Sequence, residues 1–222
     1  MNWLATCAVI IPCLNEARTI GALVQSVRAQ LPTVIVVDDG SSDATSQTAK
    51  AAGAVVVQNE SPRGKGAALQ QGWTLARTRG FEWVLTMDGD GQHSPADIPA
   101  LLDCAGRTDA DLVIGNRMHA PEKMPFVRRV VNRWMSRRIS RRIGMNLPDS
   151  QSGFRLIRLS AIAQTPLSSN HFEIESELLL KFARAGRCIE FVPIQVIYKS
   201  EQSKIHPVRD TVRWLRWWKS TR

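Results

Sequence analysis

The sequence has no uninterrupted apolar run approaching the roughly 18 residues that cross a bilayer, so any membrane contact is expected to be peripheral. It has no CxxC pair. Cys7, Cys13, Cys104 and Cys188 lie far apart, which argues against a disulfide framework or a structural zinc site and fits a reducing cytoplasm. Internal repeats and low-complexity linkers are also missing. The 222 residues, 44% of them hydrophobic, are therefore read as one domain with a single core and appended segments. No basic leader precedes the apolar start at 3–11, which runs into Pro12, Asn15 and Glu16 and reads as a first core strand rather than a signal peptide. The Walker pattern GxxxxGK[ST] is absent as well; the nearest glycine-rich basic loop is ESPRGKGAAL at 60–69.

What is present is unevenly charged. Residues 1–111 hold 8 Lys and Arg against 12 Asp and Glu, whereas 112–222 hold 21 against 8, so the formal charge of +9 belongs to the second half. A face that meets polyanions is expected there.

Up to about residue 118, short β-rich runs alternate with helical stretches: strands at 8–12, 34–37, 54–58, 83–87 and 112–114, helices at 17–30, 43–52, 65–79 and 95–106. That alternation predicts a largely parallel sheet covered by helices, with ligands at the carboxyl ends of the strands. Polar clusters fall at those ends: Asn15-Glu16, Asp38-Asp39-Gly40, and Asp88-Gly89-Asp90. HAPEKMPF at 119–126, with its two prolines, marks the end of the regular winding.

Each cluster has two readings. LTMDGDGQH at 85–93 is either a tight turn or a seat for a hard divalent cation, which takes carboxylates together with substrate phosphates. In VIVVDDGSSD at 34–43, Asp43 or Ser42 serves as a helix cap. Capping leaves Asp38 and Asp39 unexplained, and carboxylates at a strand end suit a nucleobase or a ribose. The 60–69 loop either brings Arg63 or Lys65 to phosphate or is solvated.

Six motifs carry a resemblance: PCLNE at 12–16, VVDDGSSD at 36–43, RGKGAAL at 63–69, MDGDGQH at 87–93, IGNR at 114–117 and DSQSGFR at 149–155. In order and spacing they resemble family 2 glycosyltransferases over about residues 7–205, and most of all the branch of dolichyl-phosphate mannose synthase and bacterial polyprenyl-phosphate glycosyltransferases. The resemblance implies an A-type glycosyltransferase fold: α/β, with a Rossmann-like, mostly parallel central sheet flanked by helices. It also implies a nucleotide-sugar donor, GDP- or UDP-linked, and Mg2+ or Mn2+. Residues 1–205 would form the catalytic domain and 206–222 a basic, tryptophan-rich segment. By motif position, Pro12, Asn15, Glu16 and Asp39 would hold the nucleoside, with Asp38 a further candidate and Lys65 near the donor. Asp88, Asp90 and Gln92 match the metal-binding DxDxQ. Arg117 and Arg155 match positions near the donor and acceptor phosphates, and Ser152 and Lys204 complete the acceptor-phosphate set.

The acceptor is less sharply marked. NHFEIESELLLKFARAG at 170–186 offers Glu173, Glu175 and Glu177 but no Glu-Asp pair. A hydroxyl acceptor needs a general base, whereas a phosphate is already anionic, so the pattern favours polyprenyl phosphate. Transfer to a sugar hydroxyl, with Glu173 or Glu175 as base, remains the alternative. Glu177 is expected to pair with Lys181 on the helix surface. One departure stands out: YKSEQSKIHP at 198–207 has Tyr198 and Lys199 where the synthases place an arginine before their Ser-Lys pair, here Ser203-Lys204. A lysine lacks arginine's bidentate fork.

In FVRRVVNRWMSRRISRRIG at 126–144, Val127, Val131, Met135, Ile139 and Ile143 recur every four residues, with Val130 and Trp134 widening the stripe among seven arginines. A basic amphipathic helix of this kind suits an anionic bilayer; packing on a core is the other reading. HPVRDTVRWLRWWKSTR at 206–222 repeats the theme with Val208, Val212, Leu215 and Trp218, and Trp214 and Trp217 beside arginines suit the headgroup layer. The expected partners are thus an anionic membrane surface on the cytoplasmic face, or a membrane protein docked there. Nucleic acid is not expected, because the basic residues follow an apolar helical period and no zinc or aromatic RNA-binding signature occurs.

Overall fold

The computed structural model describes residues 1–121, 124–197 and 207–221, excepting the side chains of 207–209. Its frame is a sheet of seven strands: β1 (Cys7–Cys13), β2 (Val34–Asp38), β3 (Val55–Gln58), β4 (Trp83–Thr86), β5 (Leu112–Asn116), β6 (Arg155–Arg158) and β7 (Ile189–Pro193). They lie in the order β3-β2-β1-β4-β6-β5-β7. The β1, β2, β3 and β4 neighbours are parallel, as are β5 and β7. Only β6 runs antiparallel, between β4 and β5. CAVIIPC and VIVVD are apolar almost throughout because helices cover both faces of the sheet.

Alternate residues of β1 divide the interior. Cys7, Val9, Ile11 and Cys13 face α2 (Ile20–Arg28), α3 (Thr45–Ala51) and α5 (Ile98–Thr108). Ala8 and Ile10 face α4 (Lys65–Thr78), α6 (Phe126–Ile143), α8 (Ile174–Arg184) and α9 (Pro207–Ser220). Two short helices, α1 (Trp3–Thr6) and α7 (Leu159–Ala163), complete the described set.

The start of α4 is placed by glycine. Gly64 has φ +106°, and a Cβ there would sit 2.3 Å from His171 Nδ1 and 2.4 Å from the Asn170 carbonyl oxygen. Only glycine combines that backbone with such close approach, and the result is that Lys65 opens the helix against the loop before α8.

The second half departs from expectation in how its apolar stripes are used. On α6, Asn132, Met135, Ser136 and Ile139 are buried and Val131, Trp134 and Ile143 pack on the same core. Phe126, Val127 and Val130 stay exposed, at 68%, 64% and 48%. The stripe expected to meet a bilayer therefore splits, and most of it is core. On α9, Trp214 is only 3% exposed, donates its indole N–H to Ser176 Oγ at 2.9 Å, and stacks on Trp218 at 5.2 Å. A buried indole needs an acceptor, and Ser176 of α8 provides it. Arginines cover this aromatic layer from outside: Arg142 lies 3.4 Å from the Trp218 ring centre and Arg138 lies 5.1 Å from that of Trp134. The tryptophans placed in the headgroup layer by their composition instead close the core over α8. No helix among the described residues is long and apolar enough to cross a membrane.

Candidate active site

Because β1 pairs with both β2 and β4 in parallel, the segments leaving Cys13, Asp38 and Thr86 emerge on one edge. The turn after β2 is held by its own carboxylates. Asp38 Oδ1 accepts the Ser41 N–H at 2.9 Å and Oδ2 accepts the Ser46 hydroxyl, so both its oxygens serve the turn. Asp39 Oδ1 accepts Asn59 Nδ2 at 3.0 Å and the Arg63 N–H at 2.9 Å, while Oδ2 accepts the Gly64 N–H at 2.7 Å. It ties the glycine-rich loop to the strand end. Asn15, at φ +55°, accepts the Ser42 N–H at 2.8 Å through Oδ1, and the Glu16 N–H donates to Thr45 Oγ1 at 2.7 Å. The N-cap of α3 is Ala44 rather than Ser42 or Asp43, and Asp43 accepts the Thr45 N–H at 3.0 Å from one residue before it. Pro12 lies within β1, opposite Val37.

After β4 the charges concentrate. Lys65 Nζ lies 2.5 Å from Asp88 Oδ1 and 2.6 Å from Glu175 Oε1. Burial by itself would raise the Asp88 carboxyl, but Lys65, His93 and Arg117 outweigh it and hold it well below the usual carboxylate range. Asp90 behaves oppositely: burial, then the negative charge of Asp88, pushes it up to about 6, although the Gln92 N–H donates to its Oδ1 at 3.0 Å. His93 is buried and stacks on Phe154 with ring centres 5.2 Å apart. Its burial pushes it down to about 4, so it is neutral near pH 7. Gly153 closes the far side: a Cβ there would lie 2.9 Å from both Asp88 oxygens and from Glu175 Oε1.

The expected phosphate ligands divide. Arg117 is a clamp, donating through Nε at 2.8 Å and Nη2 at 3.0 Å to the two oxygens of fully buried Asp149. Burial would raise Asp149, yet Arg117 and then Asn132 hold it at about 2. Arg155 is only 2% exposed, and its three donors go to the carbonyl oxygens of Ser152, Glu175 and Ser150 at 2.7, 2.7 and 2.9 Å. Ser152 is fully buried beside it. Arg155 and Ser152, which motif position assigns to the acceptor phosphate, are both buried, and Arg155 ties the 149–155 turn to the start of α8 from within. Lys204, with Tyr198, Lys199 and Ser203, lies outside the described residues. The Gln92 side chain accepts from Arg128 Nη1 at 3.0 Å, joining the 88–92 segment to the first turn of α6.

Two contributors, Asp149 and Gly153, were not assigned from sequence, and Glu175 was offered there only as a base. Glu175 pairs with Lys65, Asp149 carries Arg117, and Gly153 leaves room for the carboxylates. Asp149 and Gly153 fall inside the DSQSGFR motif, which was the signal available. Glu177 pairs with Lys181 at 2.7 Å as expected, but it is buried rather than on the helix surface, because it also accepts the Ser169 N–H at 2.8 Å.

Among the described residues no group of three or more His, Cys, Asp or Glu is arranged to hold a metal ion. The donor set nevertheless fits a hard cation: Asp88 and Asp90 are close enough for one charge to raise the other's pKa, and an ion of this class completes its shell with phosphate and water oxygens.

Residues 8–165 match the model of glycosyl transferase family 2. The chain belongs to that family. It is 33% identical over 202 residues to undecaprenyl-phosphate mannosyltransferase of Micrococcus luteus, covering 85% of this chain and 82% of the relative. It is 30% identical to polyprenol monophosphomannose synthase of Mycolicibacterium smegmatis, covering 84% and 75%. Among solved structures, glucosyl-3-phosphoglycerate synthase from Mycobacterium tuberculosis in complex with Mg2+ and uridine diphosphate aligns with a TM-score of 0.70 at 24% identity, over 95% of this chain and 75% of that one. That likeness shows the fold, which is the A-type glycosyltransferase fold. The protein is a glycosyltransferase with a seven-stranded sheet whose polar strand ends form the candidate site.

Proposed function

We propose that the protein transfers a sugar from a nucleotide-sugar donor to a polyprenyl phosphate, by a metal-dependent single displacement with inversion, on the cytoplasmic face of a membrane. The observation that bears on the choice of acceptor is that Glu175, one of the two candidate bases for a hydroxyl, is committed to Lys65. A hydroxyl would need a base to lose its proton, whereas a phosphate oxygen attacks as it stands. Relatives named for undecaprenyl-phosphate and polyprenol chemistry support the same reading.

In this mechanism Pro12, Asn15, Glu16 and Asp39 shape the nucleoside pocket, Asp39 by fastening the 59–64 loop over it. Asp88, Asp90 and Gln92 would hold Mg2+ or Mn2+. A bound ion of this kind neutralises charge gathering on the departing diphosphate. Lys65 adds a fixed positive charge beside it, and the Arg117 fork, oriented by Asp149, presents cationic surface to phosphate. The acceptor phosphate oxygen forms a bond to the anomeric carbon as the bond from that carbon to the donor diphosphate breaks.

The exposed first turn of α6 explains how the site would reach its lipid. Phe126, Val127 and Val130 form an apolar patch, and Arg128 of the same turn reaches Gln92 in the metal motif. Inserting such side chains contributes about 1.5–3 kcal/mol each, and neighbouring arginines about 1 kcal/mol each on an anionic surface. The site mouth is thereby held at headgroup level.

The reading is tested by incubating the protein with Mn2+, a panel of GDP- and UDP-sugars, and either short-chain polyprenyl phosphate or soluble sugar acceptors, with the product identified by mass spectrometry. A polyprenyl phosphate sugar is expected, and a product linked only to a soluble hydroxyl would overturn the assignment.

A further inference from the structure

Lys65, at the start of α4, reaches Asp88 of the 88–92 segment. Its ammonium is held between two carboxylates, Asp88 Oδ1 at 2.5 Å and Glu175 Oε1 at 2.6 Å, with 14% of the side chain exposed. Its backbone has little freedom to withdraw: a Cβ at Gly64 would strike His171 Nδ1, and one at Gly66 would lie 2.5 Å from the Ser169 carbonyl oxygen. The carboxylates are confined too, since both border Gly153. Arg155 does not compete for Glu175, because it bonds that residue's carbonyl oxygen at 2.7 Å rather than its carboxylate.

From this geometry we infer that Lys65 is a tethered counter-ion that pairs with both Asp88 and Glu175 and yields Asp88 to a divalent ion, keeping Glu175. The inference rests on the reading of Asp88 as a metal ligand. Without the ammonium, two confined carboxylates would repel each other. With it, a cation arriving at Asp88 must displace one ion pair. Glu175 makes the exchange feasible, because the displaced ammonium is already in contact with a second anion and no buried charge is left unpaired. Glu175 is thus a positioning residue, acting on the metal site through Lys65.

The account predicts opposite signs for the two partners. Removing the competing ammonium should tighten metal binding; removing its refuge should weaken it. Mn2+ binding to the substrate-free protein, read from the loss of the free-ion electron paramagnetic resonance signal, measures this without turnover. Lys65→Met should bind Mn2+ roughly tenfold more tightly than wild type, about 1.4 kcal/mol, and Glu175→Gln several-fold more weakly. Lys65→Arg, which keeps the charge, should stay weak. Arg63→Met removes an equal charge from an exposed neighbour and should change affinity by less than about twofold.

Equal or weaker binding by Lys65→Met overturns the inference, as does tightening in Glu175→Gln or an Arg63→Met effect matching that of Lys65→Met. If Asp88→Ala binds Mn2+ as wild type does, the underlying assignment of Asp88 as a ligand fails instead, so the two failures are distinguishable. Thermal melts of each variant confirm that the comparison is made on folded protein.

Discussion

The edge where β1, β2 and β4 end and the layer formed by α6 and α9 are both densely charged, but they use charge differently. At the strand ends the carboxylates are engaged by the protein: Asp38 by Ser41 and Ser46, Asp39 by three N–H donors, Asp88 by Lys65. On α6 the cations Arg133, Arg137, Arg138 and Arg141 are exposed, above a core they do not enter. The comparison teaches that charge locked in hydrogen bonds sets geometry, while charge left in water is available to a large anionic partner. The first region is built to hold a small ligand in one pose. The second is suited to a surface that has no fixed pose.

The comparison is broken most severely at the strand ends. Asp90→Ala should lower transfer by about 10³-fold, the scale of losing a preorganised electrostatic group, with the fold intact. Steady-state rates together with circular dichroism check this. Next, Asp149→Asn should cost about 3 kcal/mol of stability, because Arg117 would lose a buried partner. The pH dependence carries a sign. The folded Asp149 titrates near 2, below the usual value of about 3.9, so its contribution is present above pH ~4 and lost as the pH falls toward 2. Denaturant melts from pH 7 to 2 should show wild type converging on the variant at the acid end.

Disturbing the basic layer should have smaller and different consequences. Replacing Phe126 and Val127 together by serine should weaken binding to anionic vesicles by about tenfold or more, since each buried apolar side chain contributes about 1.5–3 kcal/mol. Nucleotide-sugar affinity should not change. Arg137→Gln should cost about 1 kcal/mol of vesicle binding at low salt and progressively less as salt rises, which cosedimentation across ionic strength would show.

The same contrast explains what was legible in the sequence. The first five strands were readable to within a few residues because each is a short apolar run, buried in β1, β2, β4 and β5 and half-buried in β3, and turn chemistry punctuates its ends. β6 was not, because RLIR is four residues bracketed by arginines and becomes a strand only by pairing between β4 and β5. Likewise the spacing of Trp214 and Trp218 shows an apolar helix face but not what covers it; the deciding group, Ser176 Oγ, lies 38 residues away in sequence. The motif shows Arg155 as a candidate phosphate ligand but not its bond to the Glu175 carbonyl oxygen, which lies 20 residues away in sequence. The convergence of Asp39, Asp88 and Asp90 was legible, because parallel strands deliver their ends to one edge.

The most direct test of this division of labour compares wild type with the Phe126→Ser, Val127→Ser double variant on two acceptors: polyprenyl phosphate embedded in anionic vesicles, and a short-chain polyprenyl phosphate free in solution. If the strand ends perform the chemistry and the α6 turn delivers it to the bilayer, the variant will lose transfer on vesicles and keep it on the soluble acceptor. Equal loss on both acceptors, or no loss on either, would contradict the account.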